Sequence, residues 1–410
     1  EISARDGNKF QPEILGMSIG CESCHGPGSL HVEKYQQQKS PKLSEQDLTI
    51  VNPANLTREL AESICANCHL RGEATVFRRG RGLDDFRPGF LLTDLRIDYG
   101  VRSSSGEMKV VGHVEQMRES VCYAQSETLT CITCHDPHLP TPPEARIAYF
   151  RNSCLKCHSE ESCGIESAIR TQTEPADDCM ACHMPKTETD IPHFAFTHHR
   201  IGIHSNEQPP NRAVSQGMDS LVPLIEPASL PADERERALG LAYFEFAAKQ
   251  PENYPAYLET ARSHLLNGER DGEAASTLAG IGMELGLGDA QAWTERALSA
   301  NQLSSQARLN ALVVRGVTRL RTGQPELAVD DLRELVRIRR SADYWYLLSQ
   351  ALQRANRPID GLEALEKAVE IAPDRIDFRR QLADLYLRNQ RNSEAAEQQQ
   401  AIEILQGSRK

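Results

Sequence analysis

The residues best equipped for chemistry run from Cys131 to His138, in the order Cys-Ile-Thr-Cys-His-Asp-Pro-His. Two thiols three residues apart, followed at once by an imidazole, are what covalent attachment of a c-type haem requires. Each sulfur adds to one vinyl group, and the histidine takes one axial position on the iron. The same spacing recurs at Cys21, Cys24 and His25, at Cys65, Cys68 and His69, at Cys154, Cys157 and His158, and at Cys179, Cys182 and His183. Zinc knuckles also use paired cysteines, but a tetrahedral zinc site has no need of a histidine directly after every second one. A ferredoxin-type cluster needs a tighter run of cysteines than this. The expected cofactor is haem c, covalently attached at the five motifs.

The other histidines then become candidates for the opposite axial positions. His31 follows Gly26-Pro27-Gly28-Ser29, residues that end a short attachment helix and turn the chain back across the fold. His113 opens an expected helix over 113–118, with Met117 the alternative donor one turn along; imidazole would hold the potential lower than thioether. His138 stands too few residues from His135 to reach round the same macrocycle, so it is expected to serve a neighbouring iron. His193, His198, His199 and His204 fall in a run with no helical or strand period, alternating with apolar residues. Two of these four are expected to be ligands, the alternative being a metal-scavenging tract. Seven distal candidates for five vacancies allow histidine on both faces of every iron. Such irons leave substrate no open position, so the expected work is electron transfer, with no catalytic residue.

These groups must be positioned by a chain whose composition changes near residue 225. All 12 cysteines precede His183, and of 13 histidines only His264, read as an ordinary helix residue, lies beyond His204. The front part is rich in Gly, Pro and Ser and short of long apolar runs; covalently held porphyrins would supply the missing apolar mass. The expected fold is mainly α: a loop-rich multihaem cytochrome c domain over 1–225, then an α-solenoid of tetratricopeptide-type helix pairs over 226–410. Within 65–120 a loop-rich insertion after the second motif carries weak strand signals, as at Met108-Lys109-Val110-Val111. Gln208-Pro209-Pro210 and Leu221-Val222-Pro223-Leu224 read as the hinge. An amphipathic helix is expected from Ala238 to Lys249. Repeats of about 34 residues follow, with small residues at Gly316, Ser349 and Ala383 and again at Ala328, Gly361 and Ala395. Leu332, Leu365 and Gln399 stand one turn later. The units near Ala261, Gly268 and Ala275 are less regular.

The motifs around Cys21–His31, Cys65–His69, Gly112–Met117, Cys131–His138, Asn152–Cys163, Asp177–Pro185 and Ile191–His204 resemble the multihaem c-type cytochrome family with C-terminal tetratricopeptide repeats, related to the cytochrome partner of hydroxylamine oxidation. The resemblance covers most of 15–205. It implies haem at the five motifs and distal ligation by His31, His113, His138, His193 and His199. Two departures stand out. Family members carry further attachment motifs upstream, and His198 occupies a place where an acidic residue is commoner. An unmatched histidine could therefore serve an iron on a missing segment or another subunit.

A net charge of -12 argues against nucleic acid or an anionic lipid surface as partner. The basic run Arg78-Arg79-Gly80-Arg81 reads as a solvated loop or a clamp on propionates. No run reaches the length of a membrane span. Because haem c is attached outside the cytoplasm, a chain opening on Glu1 reads as an exported product, periplasmic or extracellular. An oxidising compartment would allow Cys122 and Cys163 to form a disulfide, the alternative being two unpaired thiols. The expected partners are redox proteins, with the repeat domain serving docking or self-assembly, including a filament that shares haem ligands between subunits. Two rival functions are a multihaem oxidoreductase acting on a small nitrogen compound at one five-coordinate haem, and a repeat-domain sensor with structural haems.

Overall fold

The computed structural model describes residues 19–37, 47–101, 112–173, 176–188, 195–204, 218–268 and 270–407. The chain divides into two compact units, Ser18–Tyr257 and Leu258–Lys410.

The first unit is built on a three-stranded antiparallel sheet. It comprises β1 (Ala74–Phe77), β2 (Arg96–Val101) and, from the far end of the unit, β5 (Leu221–Pro223), in the order β1-β2-β5. Val76 faces Ile97, and Tyr99 faces Pro223. A second pair, β3 (Lys186–Glu188) and β4 (Ala195–Thr197), is also antiparallel. The central strand β2 is buried on both faces. Its two charged residues satisfy one another, Arg96 Nε lying 2.9 Å from Asp98 Oδ2, as buried charges must. Ala66, Leu70, Leu92, Leu95 and Val114 form the core beside the sheet. Helix Arg58–His69 supplies Ala66, is capped by Leu70, and ends in the second attachment motif.

Several sequence expectations change here. Leu221–Leu224 is not a hinge: its first three residues form β5 and pair with β2. Pro223 is tolerated because it sits on an edge strand. The helix expected at 238–249 spans Ala232–Ala247, opened by Asp233 and Glu234 in its first turn. It packs on β1, so residues 226–257 belong to the first unit. The signals at 108–111 and the prolines at 209–210 lie outside the described residues.

The second unit is a succession of helix pairs: Gly272–Glu284 with Ala290–Leu298, Ser305–Arg321 with Pro325–Ile338, Ala342–Arg354 with Pro358–Ile371, and Ile376–Arg388 with Asn392–Gly407. Gly323, Asn356 and Gln390, one per repeat, take positive φ where the first helix of a pair ends. Pro325 and Pro358 then occupy the opening turn of the second helix, where a missing N–H costs nothing. Ala328, Leu332 and Leu335 form the buried stripe of one such helix, at the i, i+4, i+7 spacing of an amphipathic helix. The small residues mark close approaches, as expected: a Cβ on Gly316 would stand 3.2 Å from Leu332, and Ser349 Oγ donates to Gly361 O at 2.6 Å. His264 lies within helix Tyr254–Asn267. No helix among the described residues is long and apolar enough to cross a membrane.

Candidate functional site

All five attachment motifs fold as helical turns. His25 N bonds Cys21 O at 2.9 Å, His135 N bonds Cys131 O at 3.0 Å, and His158 N bonds Cys154 O at 3.0 Å. The second and fifth motifs lie within helices Arg58–His69 and Cys179–His183. Residues i, i+3 and i+4 share one helix face, so the turn presents both sulfurs and the imidazole on the same side. Gly26, at φ 75°, ends the first of these helices, as its sequence requires.

The motifs meet one another in chain order. Cys24 lies close enough to Cys65 and Cys68 for their charges to interact. Cys131 is hydrogen-bonded to Cys65, Cys134 lies near Cys157, and Cys154 is hydrogen-bonded to Cys179. Burial pushes the Cys24, Cys134 and Cys179 thiols up, and takes Cys154 to about 11. Among the described residues no group of three or more His, Cys, Asp or Glu side chains is arranged to hold a metal ion.

Histidines distant in sequence come together between the motifs. The ring centres of His25 and His138 are 5.9 Å apart with planes inclined by 12°. Those of His135 and His199 are 6.2 Å apart at 25°, and those of His69 and His113 are 5.6 Å apart at 68°. Two imidazoles bound trans to one metal, at bonds of about 2.0 Å, have ring centres about 6 Å apart. The donor set thus fits the two faces of a haem iron at three of the five motifs. His138 is paired with the motif of another site, as its position after His135 requires. His113 also meets His199, at 4.4 Å. Burial, reinforced by neighbouring imidazoles, lowers the basicity of His113 and His135 and takes His199 to about 4. All three are neutral at pH 7, the form that binds iron.

Hydrogen bonds to the ring nitrogens sort the candidates further. His25 Nδ1 donates to Val51 O at 2.7 Å, His183 Nδ1 to Gly202 O at 2.9 Å, and His199 Nδ1 to Thr197 O at 2.9 Å. His31 Nδ1 bonds the Asp47 carboxylate at 2.6 Å. A carbonyl or carboxylate on Nδ1 fixes the tautomer that offers Nε2 to a metal. His198 and His204 are built the other way. His198 Nδ1 accepts from Arg200 N at 3.1 Å, which leaves the ring proton on Nε2. His204 Nε2 donates toward Arg200 O and His183 O, at 3.0 and 3.2 Å. His158 is exposed. His193 lies outside the described residues.

From Val121 to His204 the buried residues among those described are Ser153 and His198. Ile132, Leu139, Ile147, Ile165 and Ile169 stand exposed along this stretch, around three attachment motifs. Such apolar side chains suit the faces of a porphyrin. The structure does not form a Cys122–Cys163 disulfide; both thiols are free. Cys163 is held in a turn against Ile165 and Arg170, whereas Cys122 sits beside Cys157 and Cys134. Arg170 also forms ion pairs with Glu160 at 2.8 Å and Asp177 at 3.0 Å, which tie the fourth motif to the fifth.

One group escaped the sequence reading. Glu62, one turn before Cys65, is 1% exposed and receives Arg118 at 3.0 Å, Tyr123 Oη at 2.7 Å and Arg58 at 3.4 Å. Its position on the helix face that carries Cys65 was the available signal; the partners come from remote segments.

Residues 342–375 match the tetratricopeptide repeat family model. No curated protein matches the chain. Among solved structures, MamA (residues 41 to the end) from Desulfovibrio magneticus RS-1 is 23% identical, over 42% of this chain and 96% of that one, with a TM-score of 0.34. A second MamA crystal structure is 18% identical, over 44% of this chain and 98% of that one, with a TM-score of 0.31.

Proposed function

We propose that the protein is an exported multihaem c-type cytochrome that relays electrons through haems at its five motifs, with the repeat unit serving protein docking or self-assembly. The carrying observation is that the thiol pairs meet in chain order, from Cys24 beside Cys65 to Cys154 on Cys179. Five redox centres held in that succession form one path. Bound haem would supply one-electron chemistry; the polypeptide fixes ligands, spacing and local charge. The ten motif cysteines would hold the porphyrins, with His25, His69, His135, His158 and His183 on one face. The imidazole pairs support His138, His113 and His199 as the residues that would complete the ligand sets of His25, His69 and His135. His31, locked on Asp47, is the next distal candidate.

Docking rests on the helix pairs and on the tetratricopeptide repeat at 342–375, since repeat arrays expose extended concave surfaces. The test is direct. The chain, expressed with export and haem-attachment machinery, is expected to show a Soret band, covalent haem staining after denaturation, and an intact mass raised by five porphyrins. Colourless protein with the mass of bare polypeptide would refute the proposal.

A further inference from the structure

The relay leaves one buried charge unexplained. Glu62 lies inside the unit with its carboxylate held by two guanidiniums and a phenol. Arg58 is also stacked 3.3 Å above the Tyr123 ring, and its Nη2 donates to Tyr123 O at 3.1 Å. This fixes the guanidinium on a segment 65 residues away in sequence. Burial of a carboxylate against arginine is weak support for stability, because desolvation cancels much of the attraction. The position of the charge is the informative feature. Glu62 is one helical turn from Cys65, on the same face, and Cys65 is hydrogen-bonded to Cys131. The carboxylate therefore stands where the second and third attachment sites meet. Its field reaches both sulfurs. The Cys131 thiol is pushed up by its bond to Cys65, by burial and by the Glu62 charge, and the same charge opposes the lowering that Cys131 causes in Cys65.

We infer that Glu62 sets redox potential, a fixed negative charge that lowers the reduction potentials of the second and third haem sites relative to a neutral residue there. The physics is Coulombic: adding an electron beside a buried anion costs more than adding it beside a neutral group, and haem potentials follow local charge and burial. This rests on the haem reading above and adds which residue grades the path, and where. Glu62 touches no ligand, so it acts through its field alone.

The test is voltammetry of the haem-loaded full chain in three forms. Glu62→Gln keeps an acceptor for Tyr123 and removes the charge; two of the five couples are expected to move to higher potential while three stay. Tyr123→Phe takes one donor off the carboxylate and leaves its charge less screened, so the same two couples should move to lower potential. A purely structural role would not produce opposite shifts confined to one pair of couples. If Glu62→Gln fails to accumulate, Tyr123→Phe still decides. Couples that ignore both substitutions, or five that move together, overturn the inference. A wild-type chain with no covalent porphyrin overturns the haem reading itself and this inference with it.

Discussion

His138→Ala separates ligation from folding. The His138 side chain is 72% exposed, and its turn is held by bonds from backbone N–H groups to Asp136 Oδ1, at 2.9 Å from His138 and 3.3 Å from Leu139. Neither bond uses the imidazole. A surface substitution of this kind should change unfolding free energy by no more than about 0.5 kcal/mol. Its effect on the iron paired with His25 should be large, because the 5.9 Å ring separation leaves room for one metal between the two imidazoles. One iron in five should therefore lose its sixth ligand, with a high-spin ferric signal of that weight in electron paramagnetic resonance. Added imidazole should restore the low-spin state. His199→Ala should act likewise at the iron of His135, whereas His198→Ala and His204→Ala should leave the low-spin count unchanged. Identical spectra for wild type and His138→Ala, with all haems retained, would refute the assignment. A high-spin fraction already present in the wild type, shifting with nitrite or hydroxylamine, would favour a substrate-converting oxidoreductase.

The repeat unit offers three further tests. Asp331 is buried and takes Arg315 at 2.8 Å and Arg319 at 2.6 Å; Asp331→Ala removes the anion that two partly exposed guanidiniums share and should cost about 2–4 kcal/mol, lowering Tm by roughly 5–15 °C in a calorimetric scan. Burial and a 2.8 Å bond to Glu366 push the Tyr386 phenol up to about 12. Because the folded value exceeds the unfolded one of about 10, this stabilisation is complete below pH 10 and lost as pH rises through 12; Tyr386→Phe should flatten the alkaline loss in denaturant titrations. A Cβ on Gly361 would stand 2.9 Å from Gln353 Cγ and 3.2 Å from Ser349 O, so Gly361→Val should destabilise the unit by about 1–3 kcal/mol in urea unfolding.

Local features of this fold were legible in the sequence. Helix His113–Arg118 forms over the expected residues, Gly26 ends its helix, and the small residues of the repeats sit at helix crossings. The sheet was not legible. β2 joins β1 across a short insertion but meets β5 more than a hundred residues on. β2 does alternate polar and apolar residues over Arg96-Ile97-Asp98-Tyr99, but both of its faces are buried and the two charged residues form an internal pair, so its place in a sheet depends on partners that the sequence does not name. Leu221–Pro223 resembled a hinge for the same reason: three residues ending in proline become a strand only when an edge is waiting. At the site, the motifs announced themselves, but the imidazole pairs cross between motifs, and tautomers are set by carbonyls such as Val51 O and Gly202 O. The Cys122–Cys163 disulfide was inferred by elimination; the Arg170–Glu160–Asp177 network explains why Cys163 faces elsewhere.

The two units bury their interiors by different physics, and this bears on function. The repeat unit closes a core of Leu, Ala and Val stripes that needs nothing from outside, so it can accept substitutions at its exposed surfaces without losing its fold. Around Cys131 to His204 the apolar groups stand exposed and the groups drawn together are thiols and neutral imidazoles. Such groups gain little from one another, since neutral imidazoles contribute neither the transfer energy of an aliphatic core nor the attraction of an ion pair. Under the haem reading proposed above, they would be donors arranged about shared acceptors. In that half of the chain, order and redox function would have the same source: removing a porphyrin should loosen the segment that holds it, while leaving the repeat helices at 305–407 intact.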